Sequence, residues 1–203
     1  MLSCNSRTKS NKTQKDMVEQ KAGQPNDQTE PSDKVATPPK DEPSTEGAGL
    51  DSRGKSLLDL LRSCQPALPG ELSSILDEVV CTVSSRDLVD LARFLRDDPQ
   101  LGFDFLRCLS VVDYEEFLQV VYHLWSMEHR FKLVLKTNTQ EEDASVPSVT
   151  GIWPAADWFE REGHDLFGVD FEGHPDMKPL LLWEGFPGYP GRRSYKLPEY
   201  KEY

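Results

Sequence analysis

The sequence predicts an α+β fold: a small mixed or antiparallel sheet with amphipathic helices on it, plus an extended Pro/Gly-rich C-terminal arm. Three observations carry that prediction. Strand-like apolar runs follow one another as neighbours, without the repeated strand–helix–strand alternation of a doubly wound sheet. Other segments place apolar residues at helical spacing. Beyond residue 172, Pro175, Pro179, Pro187, Pro190 and Pro198 rule out continuous helix.

Taken in chain order, residues 1–50 read as a disordered polar tail. All nineteen Trp, Tyr and Phe residues lie from Phe94 onward. The tail cannot bury enough apolar surface to offset an ordering entropy of roughly 1–2 kcal/mol per residue. Its opening fifteen residues are basic and free of acids but lack an apolar helical face, so they read as tail and not as a targeting segment.

From Asp51 the pattern changes, and residues 51–172 are expected to form the α+β domain. "KSLLDLLRSC" (55–64) repeats Leu at helical spacing, and "PGELSSILDEVV" (69–80) reads as a short helix running into a strand. "VVCTVS" (79–84) is a strand. The next helix takes Ser85 as its N-cap, buries Leu88, Leu91, Ala92 and Leu95, and stops before Pro99. Residues 103–109 read as a helical turn leading into a strand at Ser110–Tyr114. Two strands follow, 117–125 and 130–137, joined through "SMEH". The first is apolar on both faces; the second alternates Phe131, Leu133 and Leu135 with Lys132, Val134 and Lys136. "NTQEEDAS" (138–145) is expected to be a solvated loop, and "VPSVTGIW" leads into a helix over 154–167.

That helix has Pro154 in its first turn and Gly168 just past its end. At about 100° per residue, Ala156, Phe159, Gly163, Leu166 and Phe167 form the core face. Asp157, Arg161 and Asp165 form a ladder at i, i+4 steps on the far side, and Trp158 and Glu162 lie on the flank. Glu160 and Glu162 point about 200° apart, so they do not converge as an acid–base pair. His164 reads as a helix-end histidine, with no Ser or Cys nucleophile placed to use it. A Trp among acids on a rigid helix is the pattern of a docking surface.

Residues 173–203 form the expected arm. Leu180–Trp183, Phe186, Tyr189 and Tyr195 are costly to leave in water, so the arm is expected to enter a groove on a partner. The alternative is that it folds back over its own domain. His174 and Asp176 alone do not make a metal site.

Charge and cysteine usage narrow the function. The formal charge of −12 sits almost wholly on 51–203, with sixteen basic residues against twenty-seven acidic. Such a domain disfavours nucleic acid and unaided adhesion to anionic lipid. No segment approaches the roughly 20 apolar residues of a membrane span, so membrane contact would run through another chain. Cys4, Cys64, Cys81 and Cys108 stand singly, which supports neither zinc nor an iron–sulfur cluster; Cys81 and Cys108 read as buried core residues. No G-x-G-x-x-G or G-x-x-x-x-G-K loop points to a nucleotide.

One long run carries a resemblance. "VPS" (146–148) is followed from Trp153 to Asp176 by W-x-x-A-x-W-x-E-R-E-x-x-D-x-F-G-V-x-F-x-G-H-P-D. This stretch resembles the C-type subunit of the proton-pumping NADH:quinone oxidoreductases, respiratory complex I, and the likeness extends over roughly 80–203. The family's double Arg after H-P-D is replaced here by Met177-Lys178-Pro179, and its G-x-P-L-R-K-D-Y-P arm by "GYPGRRSYKLP". The resemblance implies a non-catalytic scaffold on the cytoplasmic side of the cell membrane, held there by its complex. It implies D-like and B-like neighbours, which in the family carry the quinone site and the terminal iron–sulfur cluster. FMN and all iron–sulfur clusters would sit on other chains, with no cofactor on this one. Electrons would pass from NADH to quinone. A membrane-bound nickel–iron hydrogenase, or a ferredoxin- or deazaflavin-dependent quinone reductase, is the alternative host; an independent soluble enzyme is the alternative of another class. The partner-docking residues expected are Trp158, Glu160, Arg161, Glu162, Asp165, His174, Asp176, Trp183, Arg192, Arg193 and Tyr195.

Overall fold

The computed structural model describes residues 49–64, 69–141 and 143–197. The expected tail therefore lies outside the described residues, except for Gly49 and Leu50. Leu50 is buried and joins the core, so the core takes in a residue expected to belong to the tail.

Helix α1 spans Ser52–Cys64 and buries Leu57, Leu58 and Leu61. The next element is not a helix. β1 (Glu71–Ile75) and β2 (Glu78–Val83) form a hairpin in which Ile75 pairs with Glu78, turned by Leu76 at a left-handed φ of 54°. Leu72 and Ile75 happen to stand at helical spacing, but in so short a segment pairing with β2 outweighs local pattern. α2 (Leu88–Asp97) buries Leu88, Leu91, Ala92 and Leu95 as the periodicity requires. It starts later than Ser85, after a turn in which the Ser84 hydroxyl donates to Asp87 at 2.8 Å.

β3 runs from Phe105 to Asp113, so the helical turn expected over 103–109 is strand from residue 105. A bulge between Leu106 and Cys108 breaks its alternation against β4 (Phe117–Trp125). That break puts buried Leu106 and Leu109 three apart, mimicking helix. It also leaves Cys108 half-buried where a core residue was expected, whereas Cys81 is buried and burial pushes its thiol up to about 11. β5 (Lys132–Gln140) continues through residues expected to be loop. Its polar end stays paired because Gln119 on β4 donates to the Asn138 side chain at 2.8 Å.

The sheet order is β1-β2-β5-β4-β3, antiparallel except for β2 beside β5. β6 (Ser145–Pro147) and β7 (Asp170–Glu172) form a separate parallel pair bridged by α3 (Ala156–Phe167), a single strand–helix–strand unit. The three helices and the 144–153 loop bury one continuous apolar core against one face of the sheet.

Candidate docking surface

α3 is held at both ends. At its entrance the buried Trp153 indole donates to the Phe103 carbonyl at 2.9 Å. At its exit Gly168 adopts a left-handed φ of 70° and its N–H closes on the His164 carbonyl at 2.8 Å. A Cβ on Gly168 would run into the Tyr189 ring, so this position serves the packing of the arm as well as the turn. Midway, a Cβ on Gly163 would meet Val111 at 2.9 Å, so the missing side chain lets α3 settle onto β3.

The buried face is turned from the one expected. Ala156 and Gly163 are buried, but Phe159, Leu166 and Phe167 are only half-buried, and Glu160 is fully enclosed. The 148–150 loop makes this possible, because Ser148 Oγ donates to one Glu160 oxygen at 2.6 Å and Val149 N–H to the other at 2.8 Å. Burial pushes the Glu160 carboxyl up, partly offset by those two donors and by nearby His174. The buried Tyr122 hydroxyl is pushed well above its ordinary value by burial and by the Glu160 charge. Glu160 thus ties α3 to its own domain and does not face outward, whereas Glu162 does.

Asp157, Arg161 and Asp165 do not form a solvated ladder. Each reaches the arm. Asp165 is buried and accepts the backbone N–H groups of Leu180, Leu181 and Leu182 at 2.6, 2.8 and 3.3 Å. Arg161 donates to the carbonyls of Lys178 and Pro179 at 2.8 and 3.0 Å. His174 has a buried side chain, and its Nδ1 accepts the Asp176 N–H at 3.1 Å. Nε2 hydrogen-bonds the Asp157 carbonyl at 3.3 Å and stands 3.1 Å from its carboxylate. His164, as expected, sits at the helix end, with Nδ1 2.9 Å from the Val169 carbonyl.

The far end of the arm is fastened as well. Gly191 N–H donates to the Leu166 carbonyl at 2.9 Å, and Arg192 Nε to the Phe167 carbonyl at 2.7 Å. Arg192 also stacks 4.9 Å over Tyr189 and reaches Glu141 at 3.7 Å. Arg193 donates its N–H to Asp113 at 2.8 Å and its guanidinium to Glu115 at 3.2 Å. The arm expected to lie in a partner's groove is thus laid over its own α3. Asp113, Glu115 and Glu141 escaped sequence reasoning, since no local spacing links them to residues tens of positions away.

What stays outward is a smaller set. Trp158 is 66% exposed and Trp183 is 68% exposed. Glu162, Asp176 and Leu181 are exposed on the same helix and arm, and Asp176 pairs with Lys178 at 2.9 Å. Trp183 meets Phe186 edge-on at 4.6 Å, and Phe186 stacks on half-buried Tyr195 at 6.2 Å. Among the described residues, no group of three His, Cys, Asp or Glu side chains is arranged to hold a metal ion. Among them, too, no helix is long and apolar enough to cross a membrane.

The family model described as respiratory-chain NADH dehydrogenase, 30 Kd subunit, matches residues 81–201. The chain is 41% identical over 145 residues to the C subunit of the NADH-quinone oxidoreductase of Roseiflexus sp., covering 70% of this chain and 83% of that protein. It is 42% identical over 123 residues to the C 2 subunit of the NADH-quinone oxidoreductase of Rhizobium meliloti, covering 59% and 67%. Among solved structures it is similar to a chain of the membrane-bound sulfane sulfur reductase, an archaeal respiratory membrane complex. There the TM-score is 0.60 at 26% identity, over 70% of this chain and 86% of that one.

Proposed function

The chain belongs to the 30-kDa subunit family of the respiratory-chain NADH dehydrogenases, and we propose that it is a non-catalytic scaffold in the hydrophilic arm of a proton-translocating NADH:quinone oxidoreductase. Electrons pass from NADH through FMN and iron–sulfur clusters on other subunits to quinone, and this chain holds no redox group of its own. Its neighbours are the D-like and B-like subunits. It sits on the cytoplasmic side of the cell membrane and meets that membrane only through the complex.

The observation that carries this reading is the clamped arm. Asp165, Arg161 and Arg192 fix the arm's backbone, so the exposed Trp158 and Trp183 sit on a preorganised surface. Preorganisation lowers the entropy cost of docking, and Trp is the side chain most enriched at interface anchors. Purification of the tagged full chain from native membranes tests the proposal. Recovery with D-like and B-like subunits and NADH-dependent quinone reduction is expected; a lone monomer would sink it.

The likeness to a chain of the sulfane sulfur reductase complex favours one second reading, the equivalent subunit of a host with another electron donor. A nickel–iron hydrogenase or a ferredoxin- or deazaflavin-dependent reductase is such a host. Co-purification of an assembly that leaves NADH unoxidised would select it.

A further inference from the structure

The last turn of α3 and the arm enclose a small pocket between them. His164 and Asp165 line it from the helix, and Trp183, Phe186 and Tyr189 line it from the arm. Its volume is about 120 Å³. A cofactor or metabolite site is typically roughly 300–1,000 Å³, so this pocket has room for the head of one side chain. Turns of the arm hold its walls. Phe186 N–H donates to the Trp183 carbonyl and Arg192 N–H to the Tyr189 carbonyl, both at 3.1 Å. Gly185 and Gly188 take left-handed φ values of 79° and 84°. The carboxylate is fixed as well: Asp165 Oδ2 accepts the three amides of Leu180–Leu182, while Oδ1 has no hydrogen bond among the described residues.

The lining selects a cation. Asp165 is its one carboxylate, and no Lys or Arg stands among the described residues that line it. Asp165 also lies in the last turn of α3, where the helix dipole adds to its negative charge. Trp183 and Phe186 meet edge-on at 4.6 Å beside it and bring π-electron faces, which attract positive charge. Arg192 does not fill this role. It lies 4.9 Å over Tyr189, but its guanidinium is committed to the Phe167 carbonyl at 2.7 Å and to Glu141 at 3.7 Å, and it does not line the pocket. His164 has its Nδ1 on the Val169 carbonyl at 2.9 Å. A chain of net charge −12 meets complementary partners through their positive groups.

We propose that this pocket receives an arginine side chain from a neighbouring subunit, its guanidinium donating to Asp165 Oδ1 and stacking against the Trp183–Phe186 pair. Arginine suits the pocket better than lysine, because its planar head stacks on aromatic rings and its weaker hydration is shed at lower cost. An apolar side chain would leave Asp165 Oδ1 without a donor in a desolvated contact. The inference rests on the scaffold reading and adds to it the chemistry of one contact.

Electron cryo-microscopy of the intact assembly from native membranes tests it. The expected density is an arginine of another subunit, with a guanidinium nitrogen about 2.8 Å from Asp165 Oδ1 and its head within about 6 Å of the Trp183 or Phe186 ring centre. A lysine, an apolar or acidic side chain, a residue of this chain, or solvent alone in the pocket would overturn the inference and leave the scaffold reading standing. A chain recovered only as a lone monomer would overturn both. A second measurement compares two Phe186 variants in the same purification. F186L keeps apolar bulk but loses the π face, so recovered complex should fall about fivefold, with hydrogen exchange at Leu180–Leu182 unchanged. F186Y should recover as the native chain does. Equal recovery of F186L and F186Y would contradict the proposal.

Discussion

Asp165 accepts the backbone N–H of Leu180 at 2.6 Å, and through that bond the last turn of α3 grips the arm. A carboxylate near a helix C-terminus is locally unfavourable by roughly 0.3–1 kcal/mol, because it opposes the helix dipole. The arm's three amides offset this. D165N keeps an acceptor oxygen but loses its charge, so a stability loss of about 1–2 kcal/mol is expected. Hydrogen exchange should quicken at Leu180–Leu182 while β3–β5 stay protected. Equal acceleration in the sheet would show that Asp165 does not act as an arm clamp.

Acid should loosen the same clamp. Burial pushes the Asp165 carboxyl up, but the amides of Leu181, Leu180 and Leu182 outweigh it and hold it below its ordinary 3.8. A depressed folded value means the contribution is complete above the unfolded value and is lost as pH falls through the folded one. Protection at Leu180–Leu182 should therefore step down below pH 3.8 in the native chain, and D165N should lack that step. An identical pH profile in the two proteins would refute the assignment.

Glu160 has the opposite sign. Burial raises its folded value above the ordinary 4.5, so its contribution is greatest below that pH and declines as pH rises through the folded value. E160Q should keep the fold, because its carbonyl can accept the Val149 N–H and the Ser148 hydroxyl can turn to accept from the amide. Denaturant melts across this range should show a smaller decline with rising pH in E160Q than in the native chain. A steeper decline would contradict the buried placement. E160A leaves the Val149 N–H unpaired beside a cavity, for an expected loss of about 2–4 kcal/mol.

Two glycines separate backbone strain from packing. Gly168 and Gly173 both have left-handed φ, 70° and 83°, but only at Gly168 would a Cβ strike another group, the Tyr189 ring. G173A should cost about 1 kcal/mol from conformation alone. G168A should cost about 1–3 kcal/mol more, since Tyr189 has to move. Equal losses in thermal melts would mean that Tyr189 does not pack there.

Much of this was legible in the sequence, and what was not has definite causes. Helix α2 and strands β4 and β5 follow their apolar periodicity closely. β1 and the start of β3 did not, because Leu72 with Ile75 and Leu106 with Leu109 repeat at helical spacing for reasons of a short hairpin and a bulge. The wheel of α3 correctly left Trp158 and Glu162 outside. It set Glu160 at the border of the core face and Asp165 on the far side, yet both are buried, since burial of a carboxylate is decided by donors that the 148–150 loop and the arm bring from elsewhere. One hint was present: an aspartate set against the helix dipole in a last turn calls for donors from another part of the chain.

The central claim is that Trp158 and Trp183 anchor the chain in its complex. The direct measurement is the amount of W158A/W183A chain that co-purifies from native membranes with the D-like and B-like subunits, beside its thermal midpoint. At least a tenfold drop in recovered complex is expected, with a midpoint close to that of the native chain, because both side chains are about two-thirds exposed. Undiminished recovery of an active complex would contradict it.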